Sequence, residues 1–590
     1  MKGWKRLFRY FFITEVKMKI KPYSILFPYY DEISYKQLSD TTCHDLGMDF
    51  LLPEIAGKVD EQALIKDVLS HMSDDRRVAD YRKDVFSDIM NNIGFRKRIM
   101  EVFDELEHIR EFGLTHSNFD DEVTLWHLYQ RLDELKDYIR CVEQIRECLS
   151  EADLHSEGLT GLLKYVDTLY NEAGFSKMKE DISALTVKAS EIQSITVGVN
   201  VNNRLEATGL GLISVNSKPF KKSGIFSGFS DAISGGDRLQ DEAEWSGDMH
   251  FYPSNKNGND RFFQSLKKGS GIFNLQRTPF VDSRTRSTIV TGVMDDRGKN
   301  TSYYLEAEMN RMMSKLSRDL RAVLTAYADV AVVNISGLIP EFIYYIRAVE
   351  FIEKYRAAGY TFCTPEVTED VTEAKGFYNI RLALSVDPKD MVENDIRFDR
   401  SNRIYVLTGA NRGGKTTLTQ AVGLLFLLAQ GGIPVPAEHF CYVPADAIYT
   451  HFPADEDKTT DLGRLGEECI RFRKIYDEAT AHSLILLNET FSTTSFEEGY
   501  FIAKDSIRAM LIKRVRMIYN THMHKLGQDI DELNTETDGH GAVSMVMRTD
   551  GSKRSFRVEL APPEGLSFAS DIAIKYGVTY DQMIEKVPKP

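Results

Sequence analysis

Residues 403–429 read RIYVLTGANRGGKTTLTQAVGLLFLLA, and the reading of the C-terminal part of the chain starts there. Ile404 to Leu407 form a short apolar run with the character of a buried strand. The run enters Gly409-x-x-x-x-Gly414-Lys415-Thr416, and a long apolar-faced helix is predicted immediately afterwards. Glycines are needed where backbone N–H groups converge on phosphate oxygens and side chains would intrude. Gly409, Ala410, Asn411, Arg412, Gly413, Gly414, Lys415, Thr416 and Thr417 are therefore the candidate nucleotide-binding residues. Lys415 would reach the β- and γ-phosphates and Thr416 would place its hydroxyl on Mg2+, so ATP and Mg2+ are the expected ligands. The helix N-terminus adds partial positive charge at the same spot.

Two downstream strands belong with this loop. Ser483 to Leu487 is a short buried-strand pattern ending in Asn488-Glu489. In a phosphate-loop NTPase a strand here carries an acid that holds Mg2+ through water, and the next Glu polarises the attacking water. Glu489 fits the second role. Asn488 takes the first position without a negative charge, which predicts slow hydrolysis. A third strand, Arg516 to Tyr519, leads to His522, a candidate sensor of the γ-phosphate. Residues 364–590 thus read as an α/β P-loop domain, beginning with a linker (364–400) that holds Pro365, Pro388 and short strands.

Upstream the periodicity changes. Residues 23–194 read as helical, with Leu125, Leu128, Leu132, Leu135, Ile139, Val142 and Leu149 on one face. Long packed helices and a compact bundle both fit that spacing. From Ile195 the chain alternates β-branched and small residues like paired strands. Residues 201–300 hold 14 basic against 11 acidic residues, which sets them apart from a chain whose formal charge is −15. Residues 195–300 are read as an inserted β-rich module, with a solvated loop region as the competing reading. Within them Lys218, Lys221, Lys222, Lys267, Lys268, Arg284 and Arg286 are candidate nucleic-acid contacts. Helical spacing resumes through residues 301–363, so two helical blocks flank the insertion.

The bulk numbers agree with this plan. A chain of 590 residues is too long for one core, and 42% hydrophobic with 27% charged residues excludes disorder and fibrous repeats. The acidic balance excludes a protein coated in basic surface, although not a local basic patch. Six scattered cysteines without a C-x-x-C pair fit a reducing cytoplasm, and no stretch is apolar enough for a membrane span. Residues 1–22 read as a basic arm, or as sequence upstream of a start at Met18.

The phosphate loop GANRGGKTT resembles that of the MutS family of DNA mismatch repair ATPases. Further matches fall in order: Gly432 to Glu438, Asp446 to Thr450 followed by Ala454-Asp455, Ala479 to Gly499, Thr521-His522, and Gly565 to Ala573. The resemblance implies an α-helical core with long lever helices, an inserted clamp, then an ABC-type ATPase domain. It implies a homodimer in which each nucleotide is sandwiched against the partner's signature helix, and a DNA duplex or branched structure as ligand. Gly463 and Arg464 align with that signature, where the family's Ser-Thr hydroxyl is replaced. The chain reads as a short paralogue without the mismatch-reading domain, its Phe-x-Glu wedge or a Smr domain. Mismatch reading by the familiar route is therefore not expected. The competing readings are a nucleotide-gated binding protein with very weak ATPase activity and an RNA- or ribosome-associated factor.

Overall fold

The computed structural model describes residues 23–28, 33–112, 125–190, 194–201, 203, 207–216, 314–327, 337–410, 413–453, 463–537, 541–550, 553–563, 574 and 576–584. The chain forms two compact units: one of residues 1–100, 148–165 and 337–590, the other of 101–147 and 166–336.

In the first unit the centre is a six-stranded sheet: β1 (Asn402–Thr408), β2 (Ile448–His451), β3 (Leu484–Asn488), β4 (Arg516–Asn520), β5 (Gly541–Asp550) and β6 (Lys553–Glu559). The order is β2-β3-β4-β1-β5-β6, parallel throughout except for the β5–β6 hairpin. Strands of a parallel sheet are covered on both faces, so they are apolar at every position rather than at every second one. Ile404, Val406, Ile485, Leu487, Met517 and Tyr519 pack into one core with Phe472, Ile475, Ala503, Ile507 and Met510. The other face carries the helix Lys415–Gln430, buried along Leu418 to Gln430 and packed against β3, β4 and the helices Val59–Ser70 and Arg76–Asn91. Gly423 sits where this helix comes closest: a Cβ there would stand 2.3 Å from Leu46 Cδ2 and 2.8 Å from Leu486 Cδ1.

The expected linker of 364–400 is a second sheet. Its strands Glu366–Val367, Thr372–Phe377 and Asn394–Phe398 are joined by His439–Tyr442, which lies beyond the phosphate loop in sequence. The expected second lever is divided between the units: Ser314–Ala326 lies in one, Leu338–Ala357 in the other. The second of these helices buries 13 residues, on all its faces. Glu341 on it is wholly enclosed and accepts hydrogen bonds from Ser24 Oγ (2.9 Å) and Ile25 N (2.7 Å). Burial pushes its carboxyl up to about 7. Arg82 ties the same segment down, donating to Leu26 O (2.8 Å) and Gln430 O (2.9 Å).

The second unit is built on the helices Leu125–Glu151 and Ala173–Ser190 with Ser314–Ala326. The predicted face is the buried one: Leu128, Leu132, Leu135, Ile139 and Val142 are buried here, and Leu149, on the last residues of that helix, which belong to the first unit, is buried as well. An antiparallel hairpin, Ser194–Val201 with Ala207–Asn216, begins within one residue of the predicted change of character. Residues 1–22, most of the expected insertion and 301–313 lie outside the described residues, as do all seven candidate nucleic-acid contacts. No helix among the described residues is long and apolar enough to cross a membrane.

Candidate functional site

The strand order brings the C-terminal ends of β1, β4 and β3 side by side, so the residues that follow each strand meet at one edge. Gly409 continues from β1 with φ 138°, and a Cβ there would lie 2.8 Å from Met547 Cβ. Gly414 caps the following helix with φ 96°, a left-handed conformation that glycine adopts without strain. Lys415, the first residue of that helix, is buried and donates from Nζ to the carbonyls of Gly409 (3.1 Å) and Ala410 (3.4 Å). Burial holds its ammonium below the usual lysine range, and the charge of Glu489 pulls the other way. A desolvated cation balanced by carbonyl dipoles is well placed to take an anionic ligand.

Asn488 and Asn520 close their strands as direct cross-strand partners. The amide oxygen of Asn488 accepts from Thr416 Oγ1 (3.2 Å) and from Asn520 Nδ2. Asn520 was not among the candidate residues. The signal was present: two asparagines each end an apolar strand of the same sheet. The Thr416 hydroxyl and the Asn488 amide oxygen are hard oxygen donors of the kind magnesium takes. That ion keeps waters and substrate phosphates among its ligands and ordinarily takes one or two carboxylates besides, whereas these two donors are neutral.

Glu489 has φ 55°, a left-handed backbone that costs a non-glycine residue about 1 kcal/mol or more. The conformation is held by its own N–H, which donates to Asn520 O at 2.8 Å. Its carboxylate meets His522 Nε2 at 2.6 Å, so the expected sensor histidine is directed at the expected base. The turn after Glu489 is held from two sides that the sequence did not indicate. Thr490 Oγ1 lies 3.1 Å from Nδ1 of the buried His451, and Glu468 bonds Phe491 N–H and the side chain of Thr493. Burial and the charge of Arg471 lower His451 to about 4, so its ring is neutral near pH 7.

A cavity of about 450 Å3 opens from this edge. Gly413 to Leu418 and Glu489 line part of it; the rest is lined mainly by apolar side chains, among them Phe377, Tyr378, Leu382, Met391 and Phe556, with Asp390 and Asn394 between them. Asn379 reaches across it to Thr417 O (2.8 Å). The cavity therefore joins one buried cation, Lys415, to a mostly apolar lining that a flat ring system could occupy. Gly409, Ala410, Gly413, Gly414, Lys415, Thr416, Thr417, Asn488, Glu489 and His522 come together here, while Asn411 and Arg412 lie outside the described residues. Gly463 and Arg464 stand elsewhere, at the exposed start of the helix Arg464–Glu478, whose cap makes no side-chain bond.

Residues 405–566 match the MutS domain V family, and residues 74–225 match the MutS2 N-terminal domain. The chain is 34% identical over 137 residues to the endonuclease MutS2 of Thermus thermophilus, covering 23% of this chain and 18% of that one. It is 26% identical over 284 residues to the DNA mismatch repair protein MutS of Prochlorococcus marinus, covering 46% of this chain and 30% of the relative. With the MutS of Thermotoga maritima the identity is 31% over 222 residues, covering 36% and 28%. The matched part spans under a third of the length of each of these relatives.

Proposed function

The chain is a member of the MutS family through its domain V and its MutS2-type N-terminal segment, and from that premise we propose that it is an ATP-hydrolysing dimer that couples nucleotide state to DNA binding. The observation that carries the reading is the convergence of Lys415, Thr416, Asn488, Glu489 and His522 at one sheet edge beside the cavity. Lys415 would exchange the Gly409 and Ala410 carbonyls for phosphate oxygens. Glu489 would take the proton of the attacking water, with His522 holding its carboxylate in place. Magnesium, when bound, would screen the phosphate charge; Thr416 would hold it directly and Asn488 through water. Because Asn488 brings no charge to that ion, turnover is slow.

The exposed start of the helix Arg464–Glu478 would meet the nucleotide of a second copy through backbone N–H groups at Gly463 and Arg464. Glu468, one turn further along, bonds the segment after Glu489, which supports a direct route from that contact to the base. The levers and inserted module would carry closure to a duplex, with contacts to phosphates from Lys218, Lys221, Lys222, Lys267, Lys268, Arg284 and Arg286. Matched and mispaired duplexes would then bind alike. The neutral Asn488–Asn520 pair favours a second reading, a nucleotide-gated DNA-binding protein with almost no turnover.

Single-turnover ATP hydrolysis separates the two. Glu489→Gln should slow the wild-type rate by 100-fold or more while leaving ATP-dependent dimerisation intact, in line with the usual contribution of a positioned base. An unchanged rate in Glu489→Gln would remove Glu489 from the chemistry. A chain that stays monomeric with saturating Mg-ATP would remove the sandwich.

A further inference from the structure

A second and larger cleft, about 810 Å3, lies at the opposite end of the same sheet. It is bordered by the residues that precede or begin β1, β3, β4 and β5, whereas the phosphate loop follows the end of β1. The seven residues of β1 separate the two sites by about 20 Å at ordinary strand rise. Arg400, Arg403, Arg514 and Arg516 all line it.

Arg516 is the floor. It is buried, and its guanidinium is spent on backbone carbonyls, including Val443 O (2.5 Å) and His482 O (2.5 Å). The other three make no direct ion pair among the described residues, although Asp399 lies near Arg403. Arg403 Nη1 donates to Arg514 O at 2.8 Å. Of the acids nearby, Asp399 is engaged by Arg397 and Glu369 by Arg76. This happens in a chain with 88 acidic against 73 basic residues, where carboxylate partners are plentiful. Burial, then the charges of Arg514 and Arg400, hold the Arg403 guanidinium below its ordinary range against the opposing charge of Asp399, so the three feel one another. Arg514 also has φ 58°, and the Arg403 bond to its carbonyl holds it in that strained backbone. Like charges held together at such a cost, in a cleft of ligand size, form a preorganised anion site.

We propose that this cleft binds a small organic polyphosphate, with its phosphoryl groups between Arg400, Arg403 and Arg514. Guanidinium forks match phosphate oxygens in pairs, and three of them suit a ligand with more than one phosphoryl group. Asp370, with Glu369 at the same rim, would accept hydrogen bonds from hydroxyl or amino groups on the ligand's other end. The site is separate from the phosphate loop and does not depend on ATP hydrolysis.

The test uses the full chain carrying Lys415→Ala, which disables the first site, and titrates inorganic tripolyphosphate by calorimetry at fixed ionic strength. Binding should persist in Lys415→Ala and weaken at least tenfold when Arg400→Ala and Arg514→Ala are added. Both side chains are exposed, so the fold should hold; should melting reveal damage, Arg400→Gln alone replaces the pair, with a loss of threefold or more expected. Arg473→Ala, an exposed cation elsewhere, should change nothing. The proposal is overturned by absent binding in Lys415→Ala, by equal affinity after the arginines are removed, or by an equal loss with Arg473→Ala. A single-stranded oligonucleotide that needs these arginines when tripolyphosphate does not bind also overturns it, in favour of nucleic acid.

Discussion

Asn488→Asp is the most informative perturbation of the nucleotide site. The position is 7% exposed and its side-chain oxygen already accepts from Thr416 Oγ1 and Asn520 Nδ2. A carboxylate there keeps both donors and strengthens them, because hydrogen bonds to charged acceptors are worth about 1.5–3 kcal/mol against 0.5–1.5 for neutral ones. Burying the charge opposes this by a similar amount, so the ligand-free protein should change in stability by no more than about 1–2 kcal/mol. On the proposed function the balance would shift when a divalent cation is present, since Asn488 is among the residues that would hold it and the new charge would favour the ion. Partners outside the direct ligands typically alter metal affinity by 10–100-fold. The Mg2+ concentration giving half-maximal single-turnover hydrolysis should therefore fall about tenfold or more, and the saturated rate should rise. The assay is a Mg2+ titration at fixed ATP, with thermal melting to confirm folding. A well-folded variant whose Mg2+ midpoint moves by less than twofold would refute the placement of Asn488 beside the ion.

His522→Ala tests whether that residue orients Glu489 or touches nucleotide: the single-turnover rate should fall about tenfold or more while ATP affinity stays within threefold. A matching loss of affinity would assign His522 to the phosphate. Gly409→Ala should abolish ATP binding and lower stability by about 1–3 kcal/mol, read by melting, because φ 138° and the 2.8 Å approach to Met547 leave no room for a methyl group. Glu341, raised to about 7, keeps its proton in the folded chain at pH values where the unfolded chain has lost it. Its contribution to stability is thus full below about pH 4.5 and is lost as pH rises to about 7, by roughly 3 kcal/mol in all. Urea melts at pH 4.5 and 7.5 should show that slope in the difference between wild type and Glu341→Gln; a pH-independent difference would mean the carboxyl is not raised.

The phosphate loop, the Asn488-Glu489 pair and the third strand were legible because each is a local pattern: a glycine spacing, or a short apolar run with polar residues at its end. The helix face from Leu128 to Leu149 and the onset of the hairpin near Ile195 were legible for the same reason. What escaped depends on partners remote in sequence. The stretch 364–400 reads as a linker because its strands are two to six residues long, and the sheet is completed by His439–Tyr442, which lies between Glu366–Val367 and Thr372–Phe377. Leu338–Ala357 and Ser314–Ala326 both read as helical, and that reading does not say that one is enclosed by the unit holding the six-stranded sheet while the other belongs elsewhere. His451 and Glu468 reveal their roles only through the register of β2 with β3 and the packing of Arg464–Glu478 beside them.

The polar groups at the cavity are already partnered before any ligand arrives: Lys415 on two carbonyls, Thr416 and Asn520 on Asn488, His522 on Glu489. On the proposed function, nucleotide binding would be an exchange of bonds, and its strength a difference between old and new partners. The exchange favours ligand most at Lys415, where neutral carbonyls give way to charged phosphate oxygens. It favours ligand least at Asn488, whose amide gains nothing from a nearby cation comparable to what a carboxylate would gain. The Glu489–His522 contact need not break at all, so the proposed base would stay aimed throughout. A site weighted in this way discriminates by phosphate charge rather than by metal charge. On the proposed function, loss of the terminal phosphate would remove one of the two charged partners of Lys415 and shift the balance back toward its carbonyls, which is the property a nucleotide-state switch requires.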